Sequence, residues 1–263
     1  MIDTHCHLTF RDYAGQVDEV IARAGAAGVH TLITIATTSE DAPRALALAT
    51  THDNVYCTAG IHPLYADTAY DWDVIRAVVS HPRCVAWGEL GLDNHHARPS
   101  RKVQDIVLEE QLGVIHEARA GGIDKPIVVH CREAFDDVLA VFRETSLDPT
   151  RFVFHCFTGT TDEAKRVLDF GAHISFTGVV TFANARNVAE SARLVPADRI
   201  LVETDSPFLT PEPNRTVRPN EPRYVVDVAR FIAELRGVSY EEFEAQTDAN
   251  ARAFFGLDGP ASG

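Results

Sequence analysis

The chain has 263 residues, 45% hydrophobic and 24% charged, with a formal net charge of −14; this is ordinary globular composition, and one (β/α)8 barrel of about 250 residues fits the length. The negative balance argues against a surface that coats nucleic acid broadly, because phosphate contacts need Lys and Arg, but not against a site that gathers cations. Five cysteines with no Cys-x-x-Cys pair read as buried, reduced thiols, and without an apolar leader or an apolar run of roughly 18 residues a cytoplasmic protein with no membrane span is expected.

In chain order, short apolar runs rich in Val, Ile, Phe or Thr alternate with longer amphipathic stretches. Strand-like runs at 1–5, 31–36, 55–59 and 84–88 are followed by helical patterns at 17–27, 41–51, 72–79 and 103–120. Runs at 127–130, 152–155, 173–176 and 200–203 are followed by patterns at 134–144, 161–170, 184–194 and 221–236. Gly28, Gly121 and Gly171 stand where helices should stop. The alternation predicts an α/β fold, a (β/α)8 TIM barrel over residues 1–257 in one domain. Extra C-terminal helices are expected at 240–247 and 250–255, then a flexible tail at 258–263. A doubly wound open sheet is the main rival.

The polar residues fall at particular places on this map. His5 and His7 close the first run, His62 follows the third, and Glu89 ends the fourth. His130 and His155 end the fifth and sixth; Glu203 and Asp205 close the eighth. Active sites of such barrels form where strands end, so residues scattered along the chain converge on one rim. A lone barrel histidine is usually structural. Carboxylates ending apolar strands are harder to dismiss, because an unpaired buried charge is costly. Cys6, Cys131 and Cys156 each follow a candidate ligand, and alternation should turn them outward as packing residues. His30, His52, His81, His116 and His173 read as structural or solvated; His95 and His96 are modest substrate-contact candidates.

These segments together resemble the TatD family of metal-dependent deoxyribonucleases, within the wider amidohydrolase-like barrels. The matching stretches are Asp3-Thr4-His5-Cys6-His7-Leu8, Gly60-Ile61-His62-Pro63, Gly88-Glu89-Leu90-Gly91-Leu92-Asp93 and Val129-His130-Cys131-Arg132-Glu133-Ala134. Three more are His155-Cys156-Phe157-Thr158-Gly159, Glu203-Thr204-Asp205-Ser206-Pro207 and Asn220-Glu221-Pro222, with Asn250 near the end. The resemblance implies that His5, His7, Glu89, His130, His155 and Asp205 are metal ligands, with Glu89 bridging two ions. It leaves His62 and Glu203 to hold a further ion or to contact substrate. Asn94-His95-His96 and the Pro/Arg-rich stretch 211–219 depart from the family pattern, on loops expected to meet substrate.

The reaction expected is phosphodiester hydrolysis by a hydroxide bridging two or three divalent ions, with Asp205 as base and Glu203 as its alternate. Magnesium or manganese is implied by the resemblance; four histidines also suit zinc, cobalt or nickel. Arg132 is a candidate phosphate contact, with Arg215 and Arg218 as weaker ones. DNA, as single strands or 3′ ends, is the expected substrate of a 3′-5′ exonuclease, with no obligate protein partner and a monomer as default. The rivals are an enzyme that cleaves an amide, lactone or phosphotriester with the same ligands, and a non-catalytic metal-binding protein.

Overall fold

The computed structural model describes residues 1–257; the tail expected at 258–263 lies outside them. Eight parallel strands run in sequential order. They are β1 (Ile2–Cys6), β2 (Thr31–Ile35), β3 (Val55–Ala59), β4 (Cys84–Asp93), β5 (Ile127–Arg132), β6 (Phe152–Phe154), β7 (His173–Phe176) and β8 (Ile200–Val202). The helices between and after them are α1 (Val17–Ala26), α2 (Ala42–Thr51), α3 (Trp72–Ser80), α4 (Arg101–Ala120), α5 (Phe135–Arg143), α6 (Thr161–Phe170), α7 (Arg186–Leu194), α8 (Val225–Arg236) and α9 (Tyr240–Phe255). This is the expected (β/α)8 barrel.

Strand alternation divides the core into two apolar layers. Leu32, Val129, Phe154 and Val202 belong to the large cluster that the helices cover. Ile33, Val128, Val153 and Leu201, one residue out of phase, form a second cluster with Phe254 and Phe255 of α9. The second cluster fills the barrel, and α9 closes its N-terminal end.

The β8–β1 seam is joined differently from the other strand pairs. A single parallel bridge links Cys6 to Ser206. The Asp3 carboxylate spans the gap, accepting from the Thr204 amide at 2.9 Å and from Thr204 Oγ1 at 2.6 Å. The Asp205 amide donates to the His5 carbonyl at 2.9 Å, and the His7 amide to the Ser206 carbonyl at 2.8 Å. The seam thus places Asp205 against the end of β1.

Two local findings differ from the sequence expectation. The C-terminal pair of helices is one continuous helix, α9. Nothing between Thr247 and Asn250 breaks it: Thr247 Oγ1 bonds back to the Phe243 carbonyl, and the Asn250 amide caps the Ala197 and Ile200 carbonyls from within the helix. Strand β4 does not stop at Gly88 but runs on to Asp93, because residues 90–93 pair with β5. Between Trp87 and Leu90 the register shifts against Ile127 and Val129, so β4 carries one extra residue where Glu89 lies. A similar shift falls between Asp3 and Cys6, beside His5. Such insertions re-aim a side chain.

The extended pairing beyond Glu89 depends on Gly91, whose φ is +146°. A Cβ there would lie 1.9 Å from the His130 carbonyl oxygen. Gly91→Ala should therefore cost at least about 2 kcal/mol from backbone strain alone. Urea denaturation of the purified variant at fixed metal concentration checks this; an unchanged midpoint contradicts the close β4–β5 approach.

Candidate metal centre

The C-terminal ends of the strands surround a cavity of about 710 Å³. At its floor stands Glu89, its side chain 3% exposed. Glu89 Oε2 lies 2.7 Å from His155 Nε2, 3.5 Å from His5 Nε2 and 3.9 Å from His130 Nδ1. Oε1 lies 3.4 Å from His62 Nε2. On the β1 side, Asp205 Oδ1 is 3.3 Å from His7 Nε2 and 3.6 Å from His5 Nε2. Side chains from β1, β4, β5 and the loops after β3, β6 and β8 meet here, as the spacing along the chain predicted.

The His7, His130 and His155 rings each face a partner on the far side. His7 Nδ1 faces the Ile35 carbonyl at 3.1 Å, leaving the Nε2 lone pair for the cavity. His130 Nε2 faces Asp93 Oδ2 at 3.1 Å, which frees Nδ1. His155 Nδ1 lies 3.3 Å from Glu203 Oε1, its ring stacked on that of His5 at 3.9 Å. Outward-facing partners of this kind fix the tautomer and orientation of metal-binding histidines.

His62 is built the other way round. Its Nδ1 accepts the Leu64 amide at 2.9 Å. In the neutral ring the proton then sits on Nε2, the atom that faces Glu89 and His130. His62, Glu89 and His130 do stand within ligand distance of one another, yet His62 offers a donor there and not a lone pair.

The electrostatics follow from packing carboxylates and imidazoles together away from water. Burial lifts the Glu89 carboxyl, but His62, His155 and His5 outweigh that and hold it well below the usual carboxylate range. Burial pushes His155 down, but Glu89 and Glu203 raise it well above the ordinary histidine value. His5 is held low by burial and by His155, and burial takes His62 down to about 3. Protons and cations compete for these lone pairs.

The residues present fit divalent cations. His5, His7 and Asp205 offer ligand atoms all within 4.8 Å of one another, as do His5, His155 and Glu203. Glu89 Oε2, His5 Nδ1 and His155 Nδ1 are buried without a directed hydrogen bond. An oxygen ringed by imidazole nitrogens but bonded linearly to none is what a carboxylate bridging cations would present.

The chain is also similar to known proteins. The family model described as TatD related DNase matches residues 2–256. The chain belongs to the TatD family. It is 40% identical over 262 residues to the Escherichia coli (strain K12) uncharacterized metal-dependent hydrolase YcfH, covering 98% of this chain and 96% of that one. It is 34% identical over 265 residues to the Klebsiella pneumoniae (strain 342) 3′-5′ ssDNA/RNA exonuclease TatD, covering 98% of each. The crystal structure of the TatD homologue YJJV from Escherichia coli K12 superposes with a TM-score of 0.89 at 29% identity over 98% of both chains. It is thus a metal-dependent hydrolase of the TatD family, and among the described residues no helix is long and apolar enough to cross a membrane.

Within this TatD framework some residues singled out from sequence land differently from others. Arg132 is exposed on the cavity rim with no ion pair among the described residues. Arg218 points into its own loop, Nη1 bonding Thr210 Oγ1 and the Arg215 and Val217 carbonyls, away from the cavity lining. Arg215 lies over the Phe182 ring at 3.3 Å. His96 lines the cavity, whereas His95 pairs with Glu133 at 2.8 Å. Glu203 is already engaged: Oε1 accepts the Cys156 amide at 2.6 Å and Oε2 the Ser175 hydroxyl at 2.5 Å. Cys6 and Cys131 pack in the core. Cys156 does not: β6 ends at Phe154, alternation lapses, and Cys156 lines the cavity at φ +43°.

Sequence reasoning assigned no role to Asp93. It is 1% exposed and bonds His130, the amides of His95 and His96, and His96 Nδ1 at 3.0 Å. Burial lifts this carboxyl, but the His130 and His96 bonds outweigh it and hold it below the carboxylate range. The available signal was its position: a second carboxylate four residues past Glu89 on an apolar run. Asp93→Asn should weaken divalent metal binding by about 10–100-fold. Competition against a chromophoric chelator measures this, with circular dichroism to verify the fold; unaltered affinity removes Asp93 from the centre.

Proposed function

We propose that the chain hydrolyses phosphodiester bonds in single-stranded nucleic acid, working from the 3′ end of DNA. The observation that carries this reading is the cavity itself: a buried donor array with Arg132 exposed on its rim, without an ion pair among the described residues. The Klebsiella relative, named an ssDNA/RNA exonuclease, supports the substrate class.

His5, His7, Glu89 and Asp205 would hold one divalent ion, and Glu89, His130 and His155 a second, with Glu203 behind His155. Bound ions supply a water-derived nucleophile at neutral pH and offset charge on the phosphoryl oxygens. The chain's own groups then divide the work. Asp205, 14% exposed and facing His5 and His7, takes the proton of the attacking water and passes it to the leaving oxygen. The Arg132 guanidinium grips a non-bridging phosphate oxygen pair by a charge-assisted fork. His62, with its proton on Nε2, faces Glu89 and His130 and steadies them, while Asp93 and the Ile35 carbonyl keep His130 and His7 in register. Nitrogen-rich ligand sets accept manganese, zinc, cobalt or nickel readily, whereas magnesium prefers oxygen.

Two experiments test the reading. Chelation should abolish cleavage of single-stranded DNA, and adding back single divalent ions, magnesium and manganese included, should restore it; Asp205→Asn should cost about 10²–10⁴-fold in kcat. An amide, lactone or phosphotriester turned over faster than any strand, or an Asp205→Asn variant at wild-type rate, refutes the assignment. Separately, Arg132→Ala should lower kcat/KM about tenfold or more through the lost charge-assisted bond, with Lys only partly replacing it. Equal kinetics on strands of increasing phosphate number would remove Arg132 from substrate binding.

A further inference from the structure

Phe208 is 50% exposed, the most exposed of the large apolar side chains among the described residues. It stands on the cavity mouth, three residues after Asp205. Its ring is 6.1 Å from that of Phe10, at 75° between planes, and 6.4 Å from that of His7. Phe10 in turn stacks on His7 at 4.5 Å and 18°. A bare aromatic corner therefore continues directly from the reactive centre.

The corner is held rigidly although its face is uncovered. The Phe208 amide donates to the Asp205 carbonyl at 3.0 Å, and the Asn220 amide nitrogen of the backbone to the Pro207 carbonyl at 2.9 Å. The fully buried Asn220 side chain donates to the Phe208 carbonyl, and to the Thr204 carbonyl at 3.2 Å. Behind it, Leu209 sits at φ +58°, and its carbonyl oxygen lies 2.0 Å from where a Cβ on Gly178 would be. The backbone is fixed by buried groups so that the ring can face outward.

We infer that Phe10 and Phe208 form a stacking platform for the nucleobase beside the scissile phosphodiester, so that the site selects a base-bearing strand over other phosphodiesters. This deepens the nuclease reading and rests on it. The chemistry of the mouth divides as a nucleotide does, with a cation, Arg132, on one wall and an aromatic face on another. The overall charge of −14 adds a reason. With so negative a balance, phosphate contacts alone give a polyanion little net attraction, so contacts that do not depend on charge add affinity. Base stacking on aromatic rings is such a contact, and it accepts any base.

The test uses the full-length protein with the divalent ion found to support cleavage. Two single-stranded oligonucleotides are compared, one intact and one with a tetrahydrofuran abasic residue beside the cleaved bond. The wild type should prefer the intact strand by roughly 5–150-fold in kcat/KM. Phe208→Ala should bring that ratio close to one, Phe208→Tyr should keep it, and Phe208→Leu should lose it, since leucine keeps apolar bulk without a π face. A second readout needs no turnover: a 3′-terminal 2-aminopurine strand with non-hydrolysable linkages should be quenched on binding the ion-loaded wild type and not on binding Phe208→Ala. If the wild type cuts intact and abasic strands equally, or Phe208→Leu keeps the preference, the platform is wrong while the nuclease reading stands. If no strand is cut with any divalent ion, both fall together.

Discussion

Glu89 is a carboxylate buried at the end of a barrel, with imidazole nitrogens from four strands or loops closing in on it. Leaving water costs a carboxylate far more than any one hydrogen bond returns, so this position is tolerable only if positive charge surrounds it. The histidines can supply that charge by taking up protons or by sharing cations with the carboxylate. Since the outer nitrogens of His7 and His130 are fixed by a carbonyl and by Asp93, their inner nitrogens are turned toward the cavity. The geometry favours the second solution, and the rest of the mouth is arranged around it.

The scaffold supports that centre through its irregularities. Extra residues in β1 and β4 lie where His5 and Glu89 must be aimed, and the β8–β1 seam is held by Asp3 instead of a full ladder. Asp205, Cys156, Glu133 and Leu209 all have positive φ, and all line the cavity. Strain of this kind persists where the surrounding structure over-determines the backbone. In this chain the strained residues, the register shifts and the buried charges coincide at one end of the barrel. The opposite end, plugged by Phe254 and Phe255, carries the ordinary apolar packing.

An acidic chain with a cation-binding pit also suits a narrow mode of binding to a polyanion. On the reading proposed above, Arg132 and the Phe10–Phe208 corner would supply the two kinds of contact a nucleotide offers, one to phosphate and one to base.

The periodic alternation of apolar runs and amphipathic stretches determined the eight-stranded barrel, because strands buried on both faces and helices buried on one leave different spacings in the chain. The convergence of His5, His7, Glu89, His130, His155 and Asp205 followed from their places at strand ends. Local pattern could not show partners brought from elsewhere in the fold. Asp93 gained its meaning only when β4 paired past Glu89 with β5, and Arg218 lost its apparent role when its loop turned the guanidinium inward. Cys156 left the packing layer because β6 stopped one residue earlier than the apolar run suggested. The tautomer of His62, the saturation of Glu203 and the bare face of Phe208 are likewise decided by neighbours far off in sequence. Spacing along the chain encodes which side chains reach the rim; only three-dimensional contact decides which of their atoms remain free to act there.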